Sequence, residues 1–270
     1  MNKKKILITG YKGYIGSFLK RNFKNIFIFK NLNLNKIPRK NSLKNYSHVL
    51  HFEFLIKNSK RNLIKNLDNM KKIINICKQN NIFLIFPSTA SFHFQNKKKI
   101  SNEIKVINEY TLAKKKCEKL ILKEYDKKSL RFTILRIFNV YGGTINNRYY
   151  INQIIKKFKN IQVKIKFRDN IRDYIHILDL MSLIKKCILQ NKNGIFEAGS
   201  GKSVSIKSLS ETLNQLSNKN HKIIYLDPKK TKKNYYSKAS INRTIKTFKW
   251  KPKIKLEQGL TDLIKDNLKK

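Results

Sequence analysis

The sequence of 270 residues has few cysteines and glycines and no long apolar run. The three cysteines, Cys77, Cys117 and Cys187, lie far apart in the sequence and form neither a CxxC pair nor a metal-ligand spacing. This pattern argues against a disulfide scaffold and against a metal site, and it favours a reducing compartment. No stretch approaches the roughly 18 apolar residues that cross a bilayer. The apolar run at 6–8 is also too short for a signal peptide. We therefore expect a cytoplasmic protein that binds neither a metal nor a membrane.

Acidic residues are scarce as well, because 61 lysines and arginines face only 16 aspartates and glutamates, which leaves a net charge of +45. A basic surface is typical of proteins that bind nucleic-acid phosphates. Lysine, asparagine and isoleucine are nevertheless abundant together, as in AT-rich coding sequences. The lysines also spread along the whole chain without a zinc-finger, RNP or OB-type pattern. We therefore expect a solvated surface that attracts anionic small molecules, nucleotides included, and we keep nucleic-acid binding as the alternative.

The first half of the chain alternates short apolar runs with amphipathic helical patterns. Strands are predicted at 5–9, 26–29, 48–52, 82–86 and 132–138, and helices at 15–23, 63–79 and 110–125. This alternation is typical of βαβ units around a parallel sheet. We predict an α/β fold whose Rossmann-type, doubly wound parallel sheet occupies residues 1–142, with a segment at about 171–198 returning to it.

The second half is more irregular, which predicts a smaller C-terminal α/β lobe for the substrate at 143–270. Helices are predicted at 151–158, 178–190, 204–216 and 256–268, strands at 162–167, 171–177 and 195–198, and a surface loop at 227–238.

Three glycines follow the first predicted strand directly and open the first helix. Gly10, Gly13 and Gly16 permit a tight turn, a close approach of the backbone to a pyrophosphate, and close packing of helix on strand. The N–H groups at the helix start, aided by the helix dipole, then face the phosphates. This arrangement predicts a dinucleotide site.

The acidic residue that usually selects the adenosine ribose is missing. The second predicted strand ends at Lys30, and no carboxylate follows before Glu53. Lys30 or Arg39 could instead meet a 2′-phosphate. The cofactor is therefore expected to be NADP or NAD, with a lean toward NADP.

A second constellation consists of Thr89, Tyr110 and Lys114. Tyr110 and Lys114 are four residues apart and share one face of a predicted helix. A nearby cation lowers the pKa of a phenol, so that the phenol can exchange a proton with a sugar hydroxyl near neutral pH. Thr89 ends a predicted strand, where open α/β sheets bind their ligands.

These motifs follow one another in an order that extends from residue 6 to about 263. They are TGYKGYIG (9–16), His51, PSTAS (87–91), Tyr110 with Lys114 and Glu118, LRIFNVYG (135–142), RDYIHILDL (172–180), GSGKSVS (199–205) and WKPKI (250–254). The set resembles the extended short-chain dehydrogenase/reductases, the nucleotide-sugar epimerase/dehydratase/reductase family.

The resemblance implies a role for each matching residue. Thr89 would bond the reacting sugar oxygen, Tyr110 would be the acid/base, and Lys114 would hold the nicotinamide ribose. Asn139 and Arg172 match positions that contact the substrate's nucleotide and diphosphate, for which a guanidinium is suited. A salt bridge from Arg172 to Asp173 and a core amide at Asn139 are the structural alternatives, whereas His176 and Asp179 are expected to brace the fold. The predicted cofactor site comprises Gly10, Gly13, Tyr14, Ile15, Gly16, Asn66, Tyr110 and Lys114.

Departures from the family pattern narrow the expected reaction. Ala90 and Ser91 stand where 4,6-dehydratases carry Asp-Glu, and Ala90 also replaces the cysteine of epimerase/reductases that act at C3 and C5. The chemistry that remains is 4-keto reduction or C4 epimerisation. The short region between the second strand and His48 favours a reductase.

Three further departures concern the cofactor and substrate sites. The common His-x-Ala-Ala is replaced by residues 51–54, HFEF, which place Glu53 near the expected cofactor. The usual Val-Tyr-Gly appears as Phe-His-Phe at 92–94, and lysines and tyrosines replace the expected arginine-containing loop near 229–236.

The sequence thus predicts an NAD(P)-dependent nucleotide-sugar epimerase or reductase for surface-polysaccharide synthesis. The family resemblance also implies a homodimer formed through helices 63–79 and 110–125. The alternative function is a catalytically weak family member that binds nucleotides or RNA, which the charge and the altered motifs near Glu53 and His93 motivate.

Overall fold

The computed structural model describes residues 3–36, 42–92, 108–143, 150–218, 220–226 and 235–268. Its centre is a six-stranded parallel sheet with the spatial order β2, β1, β3, β4, β5, β9. These strands are β1 (Lys5–Thr9), β2 (Ile28–Asn31), β3 (His48–His51), β4 (Phe83–Thr89), β5 (Phe132–Ile137) and β9 (Gly194–Ala198). The order reverses between β1 and β3, which opens a crevice at the carboxyl ends of these two strands. The predicted α/β, doubly wound fold is confirmed.

Helices cover both faces of this sheet because alternate strand residues point to opposite sides. Helices α1 (Tyr14–Phe23) and α5 (Ile177–Gln190) pack on the face that carries Ile6 and Ile8. Helices α2 (Lys60–Asn80) and α3 (Glu109–Asp126) pack on the opposite face, which carries Leu7. No helix within the described ranges is long and apolar enough to span a membrane.

Helix α3 begins at a side-chain cap. The Asn108 carboxamide oxygen accepts a hydrogen bond of 2.9 Å from the Thr111 N–H, which satisfies one of the donors that a first helical turn leaves without a partner. This cap fixes the first turn, and Tyr110 lies in that turn.

The remaining elements form a smaller lobe with its own core. A three-stranded sheet consists of β6 (Asn139–Tyr141), β8 (Ile171–His176) and β10 (Ser203–Ser205), and a two-stranded sheet of β7 (Gln162–Lys166) and β11 (Lys222–Leu226). The helices of this part are α4 (Tyr150–Lys157), α6 (Ile206–Ser217) and α8 (Leu256–Leu268), whereas α7 (Asn242–Phe248) packs against α5 and β9 of the large domain.

Several boundaries differ from the predictions. Strand β2 begins two residues late because the N–H groups of Ile26 and Phe27 bond to the Phe23 carbonyl and extend the turn after α1. Strand β8 belongs to the smaller sheet, so the segment that returns to the large sheet is α5 with β9. Phe248 and Trp250, from the predicted smaller lobe, pack into the core of the large domain.

Candidate active site

A cavity of about 480 Å³ opens at the carboxyl ends of β1, β3, β4 and β5. This volume lies within the usual range for small-molecule sites. It brings together most of the residues predicted for the cofactor and for catalysis: Gly10, Gly13, Tyr14, Ile15, Gly16, Thr89, Tyr110 and Lys114. The glycine turn and the Thr–Tyr–Lys set are therefore two walls of one cavity.

The glycine turn is shaped so that side chains would not fit. Gly10 has φ +67°, and a Cβ there would lie 2.6 Å from the backbone nitrogen of Glu53. A Cβ on Gly16 would lie 2.6 Å from the Gly10 carbonyl oxygen. Helix α1 starts directly after Gly13, so its first N–H groups, which have no intrahelical acceptor, face the turn. Glycine at these positions therefore permits the close backbone packing of the turn, and the N–H groups at the start of α1 suit a pyrophosphate.

Asn66 lies beside this cavity, and its side chain holds a neighbouring segment in place. Its carboxamide donates to the Leu55 carbonyl and accepts from the Leu55 N–H, both at 2.9 Å. It therefore fixes the segment that carries Glu53 and Phe54 into the cavity wall. Its assignment to cofactor binding stays a prediction, and the contacts in the structure give it a positioning role.

Tyr110 and Lys114 meet on the inner face of α3. The Lys114 ammonium donates a 2.6 Å hydrogen bond to the Pro87 carbonyl and lies 6.0 Å from the centre of the Tyr110 ring. The lysine is buried, whereas Tyr110 is half-buried and lines the cavity. The predicted geometry of a phenol next to a cation is therefore present in the structure.

Burial also changes the acidity of Lys114. Loss of water lowers the pKa of its amine to about 7, although the nearby Cys117 and Glu118 act in the opposite direction. The amine therefore titrates near physiological pH. Such a perturbed group in a cleft is typical of functional sites.

Thr89 and its neighbours form another part of the cavity lining. The Thr89 hydroxyl donates to Ser91 Oγ at 2.9 Å and accepts from the Ser91 N–H at 3.1 Å. Ser88 lines the cavity with a buried hydroxyl that has no hydrogen-bond partner among the described residues. Because a buried polar group without a partner is unfavourable, Ser88 indicates that a polar ligand group completes this wall.

Asn139 and Arg172 lie outside this cavity, on the neighbouring strands β6 and β8. The Arg172 guanidinium is 3.4 Å from the Asn139 carboxamide oxygen and lies between the rings of Tyr150 and Tyr235, at 4.7 and 4.5 Å. Asp173 does not pair with it, because its carboxylate accepts hydrogen bonds from Ser200, Gly201 and Ala239. Both rings therefore lie within cation–π distance of the guanidinium.

His176 and Asp179 have structural contacts, as expected. His176 caps α5 by accepting from the Leu178 N–H, and Asp179 accepts from the backbone N–H groups of Lys253 and Ile254, both at 3.0 Å. These bonds join α5 to the segment that precedes α8.

Sequence reasoning did not single out several residues that line the cavity, namely Phe52, Phe54, Ile56, Pro87, Ser88, Ile137, Phe138 and Val140. Most of them directly follow, or belong to, the last residues of parallel strands, which is the signal that could have found them. Arg39, His93 and most of the predicted loop at 227–238 lie outside the described residues.

Comparison with known proteins agrees with this geometry. The family model described as the NAD dependent epimerase/dehydratase family matches residues 6–199. The chain is 29% identical over 252 residues to dTDP-4-dehydro-6-deoxyglucose reductase of Escherichia coli, with 86% of this chain and 77% of that protein covered. It is 22% identical over 257 residues to ADP-L-glycero-D-manno-heptose-6-epimerase of Brachyspira hyodysenteriae, with 78% and 80% covered.

A solved structure shares the fold over the whole chain. UDP-N-acetylglucosamine 4-epimerase from Methanobrevibacter ruminantium M1, in complex with UDP-N-acetylmuramic acid, superposes with a TM-score of 0.85 at 22% identity, covering 100% of this chain and 99% of that one. The glycine turn, the Tyr110–Lys114 pair and the match over residues 6–199 lead to one conclusion. The chain belongs to the NAD dependent epimerase/dehydratase family, within the extended short-chain dehydrogenase/reductases.

Proposed function

We propose that this chain is a cytoplasmic, NAD(P)-dependent nucleotide-sugar epimerase or 4-keto-sugar reductase that supplies surface-polysaccharide synthesis. The observation that carries the proposal is that Thr89, Tyr110 and Lys114 line one cavity together with the glycine turn. A phosphate cradle next to a phenol–ammonium pair fits a dinucleotide and a carbinol or ketone. The names of the reductase and epimerase relatives support the same substrate class.

In the proposed reaction at a sugar C4, each of these residues has a separate role. When bound, the nicotinamide donates or accepts the hydride. Tyr110 gives a proton to the oxygen of a ketone, or takes one from a hydroxyl, and Thr89 orients that oxygen. The positive charge of Lys114 stabilises the phenolate and so lowers the pKa of the phenol. Arg172, which lies within cation–π distance of two aromatic rings, binds the diphosphate of the sugar nucleotide.

A substrate panel tests this function. The purified protein is incubated with NADPH or NADH and with nucleotide-linked hexoses and 4-keto-6-deoxyhexoses, while cofactor absorbance and sugar products are followed together. Consumption of one cofactor per keto sugar indicates a reductase, and isomerisation without net cofactor loss indicates an epimerase. No turnover, with tight and steeply salt-dependent binding of generic RNA, would support the catalytically weak RNA-binding alternative.

The cofactor proposal, a preference for NADP(H), rests on the end of β2. Lys30 is exposed there and pairs in register with Leu7 of β1, two residues before the end of that strand. An ammonium at this position favours a 2′-phosphate, whereas the usual ribose-binding carboxylate is absent from β2.

Replacing Lys30 by alanine is expected to weaken NADPH binding about 10- to 150-fold, since one hydrogen bond to a charged group contributes about 1.5–3 kcal/mol. NADH affinity should hardly change, because NADH lacks the 2′-phosphate. Fluorescence titration with each cofactor measures both values. Lys24→Ala is the matched control, because Lys24 is equally exposed but follows the far end of α1. Equal losses for both cofactors would contradict the preference.

A further inference from the structure

Phe54 is a departure from the family pattern that the proposed chemistry leaves unexplained. It stands where the common His-x-Ala-Ala motif has its second alanine, three residues after His51. Its position is fixed, because Asn66 holds the backbone of the next residue, Leu55, with two hydrogen bonds of 2.9 Å. A large aromatic side chain is therefore held in the cavity wall at a place where a methyl group is usual.

The Phe54 ring contacts both members of the catalytic pair. Its centre lies 3.7 Å from the Lys114 Nζ, closer than the rings of Phe86 and Tyr110, and 5.6 Å from the centre of the Tyr110 ring, which it meets edge to face at 89°. The ring of Phe86 lies 4.5 Å from the same nitrogen. Together with the Pro87 carbonyl, these groups surround the Lys114 ammonium with aromatic faces and one acceptor.

We propose that Phe54 is a positioning residue, whose ring holds the Lys114 ammonium beside Tyr110 and keeps it charged in a site from which water is excluded. The face of an aromatic ring attracts a cation, and the attraction is strongest where the cation has lost its water. The role of this contact in catalysis rests on the proposed function, whereas the contact itself does not.

Other groups on α3 and β3 also affect the charge of Lys114. On α3, Cys117 is a neutral thiol because burial raises its pKa to about 12. Glu118 is bound in an ion pair by Arg136 of β5, at 2.7 and 3.2 Å. On β3, burial and the charge of Lys114 lower the pKa of His51 to about 3, so the imidazole is neutral. Glu118 is thus the charged group among these three, and it is paired with Arg136.

The test is a direct titration of the Lys114 amine by NMR on protein labelled with ¹³C at the lysine ε-carbons, with Lys114→Met used to assign the signal. Phe54→Leu is expected to lower the ratio of ammonium to free amine at a given pH about 3- to 30-fold, the loss of one cation–π contact. Phe54→Tyr should restore the wild-type titration, because it keeps the ring. Phe29→Leu, a half-buried phenylalanine of β2, is the matched control.

The outcomes separate this inference from the proposed function. An unchanged Lys114 titration in folded Phe54→Leu would overturn the inference, whatever the activity. The same holds if Phe54→Tyr titrates like Phe54→Leu, because the ring face would then not matter. If the titration moves as expected, the inflection near pH 7 that Lys114 contributes to the pH–rate profile should move with it to lower pH. A shifted titration with an unchanged profile would instead remove Lys114 from the proposed chemistry.

Discussion

Replacing Tyr110 by phenylalanine is expected to lower turnover by about 10²–10⁴, the usual contribution of a general acid or base. The change removes one hydroxyl and keeps the ring, so the edge-to-face contact with Phe54 and the packing of the first turn of α3 stay intact. Dinucleotide binding should remain nearly unchanged, because the glycine turn and Lys114 are untouched. Turnover of the substrate found in the panel and a fluorescence titration of the cofactor measure the two effects.

Tyr125→Phe is the matched control for this variant. Tyr125 lies on the same helix and packs on Phe132, away from the cavity. Its loss of a hydroxyl should leave turnover at the wild-type value. Wild-type turnover in Tyr110→Phe itself would remove the phenol from the mechanism.

Replacing Lys114 by methionine is expected to lower turnover at neutral pH by about 10- to 10³-fold. This range follows because a nearby opposite charge shifts the pKa of a titrating group by about 1–3 units. Without the cation the pKa of the phenol rises. In ketone reduction, where Tyr110 donates the proton, the fall of activity at alkaline pH therefore moves to higher pH. The pH–rate profile of this variant should also lack the inflection near pH 7 that the Lys114 amine contributes.

Cofactor affinity should fall in the same variant, since Lys114 is the residue proposed to hold the nicotinamide ribose. Lys116→Met is the matched control, because Lys116 is an exposed residue two positions along the same helix. The pH–rate profiles of both variants are compared with that of the wild type. If the fall of activity at alkaline pH occurs at the same pH in Lys114→Met as in the wild type, the Lys114 cation does not lower the phenol pKa.

The large sheet and the cavity were predictable from the sequence because local patterns determine both. β1 was predicted with its observed bounds, and the glycine turn follows it directly. A helix is enough to place Tyr110 and Lys114 on one face, and the apolar periodicity together with the Asn108 cap predicts that helix. Residues at the ends of parallel strands then meet at one sheet edge.

The contacts that could not be predicted are made between distant parts of the chain. Strand β10 has three residues and is defined by its pairing with β8, where Val204 opposes Arg172. The two rings near Arg172 belong to Tyr150 of α4 and to Tyr235, which is 63 residues further along the chain than Arg172. No local sequence pattern predicts these contacts. Likewise, residues 51–54 showed that Phe54 departs from the family, but its approach to Lys114 depends on how Asn66 fixes the loop.

The central claim is that this cavity moves a hydride between a nicotinamide and a sugar carbon with Tyr110 as the proton donor. The most direct measurement uses NADPH or NADH carrying deuterium at the transferred position of the nicotinamide, with the sugar nucleotide that the panel identifies. For a reductase, mass and NMR spectra should place the deuterium at C4 of the product, and Tyr110→Phe should slow its appearance as much as it slows turnover. For an epimerase, the measurement instead uses the oxidised cofactor and a sugar nucleotide that carries deuterium at C4, and the epimer should retain that deuterium. A reduced product without deuterium at C4, or an epimer that has exchanged its C4 deuterium for hydrogen from water, would contradict the account.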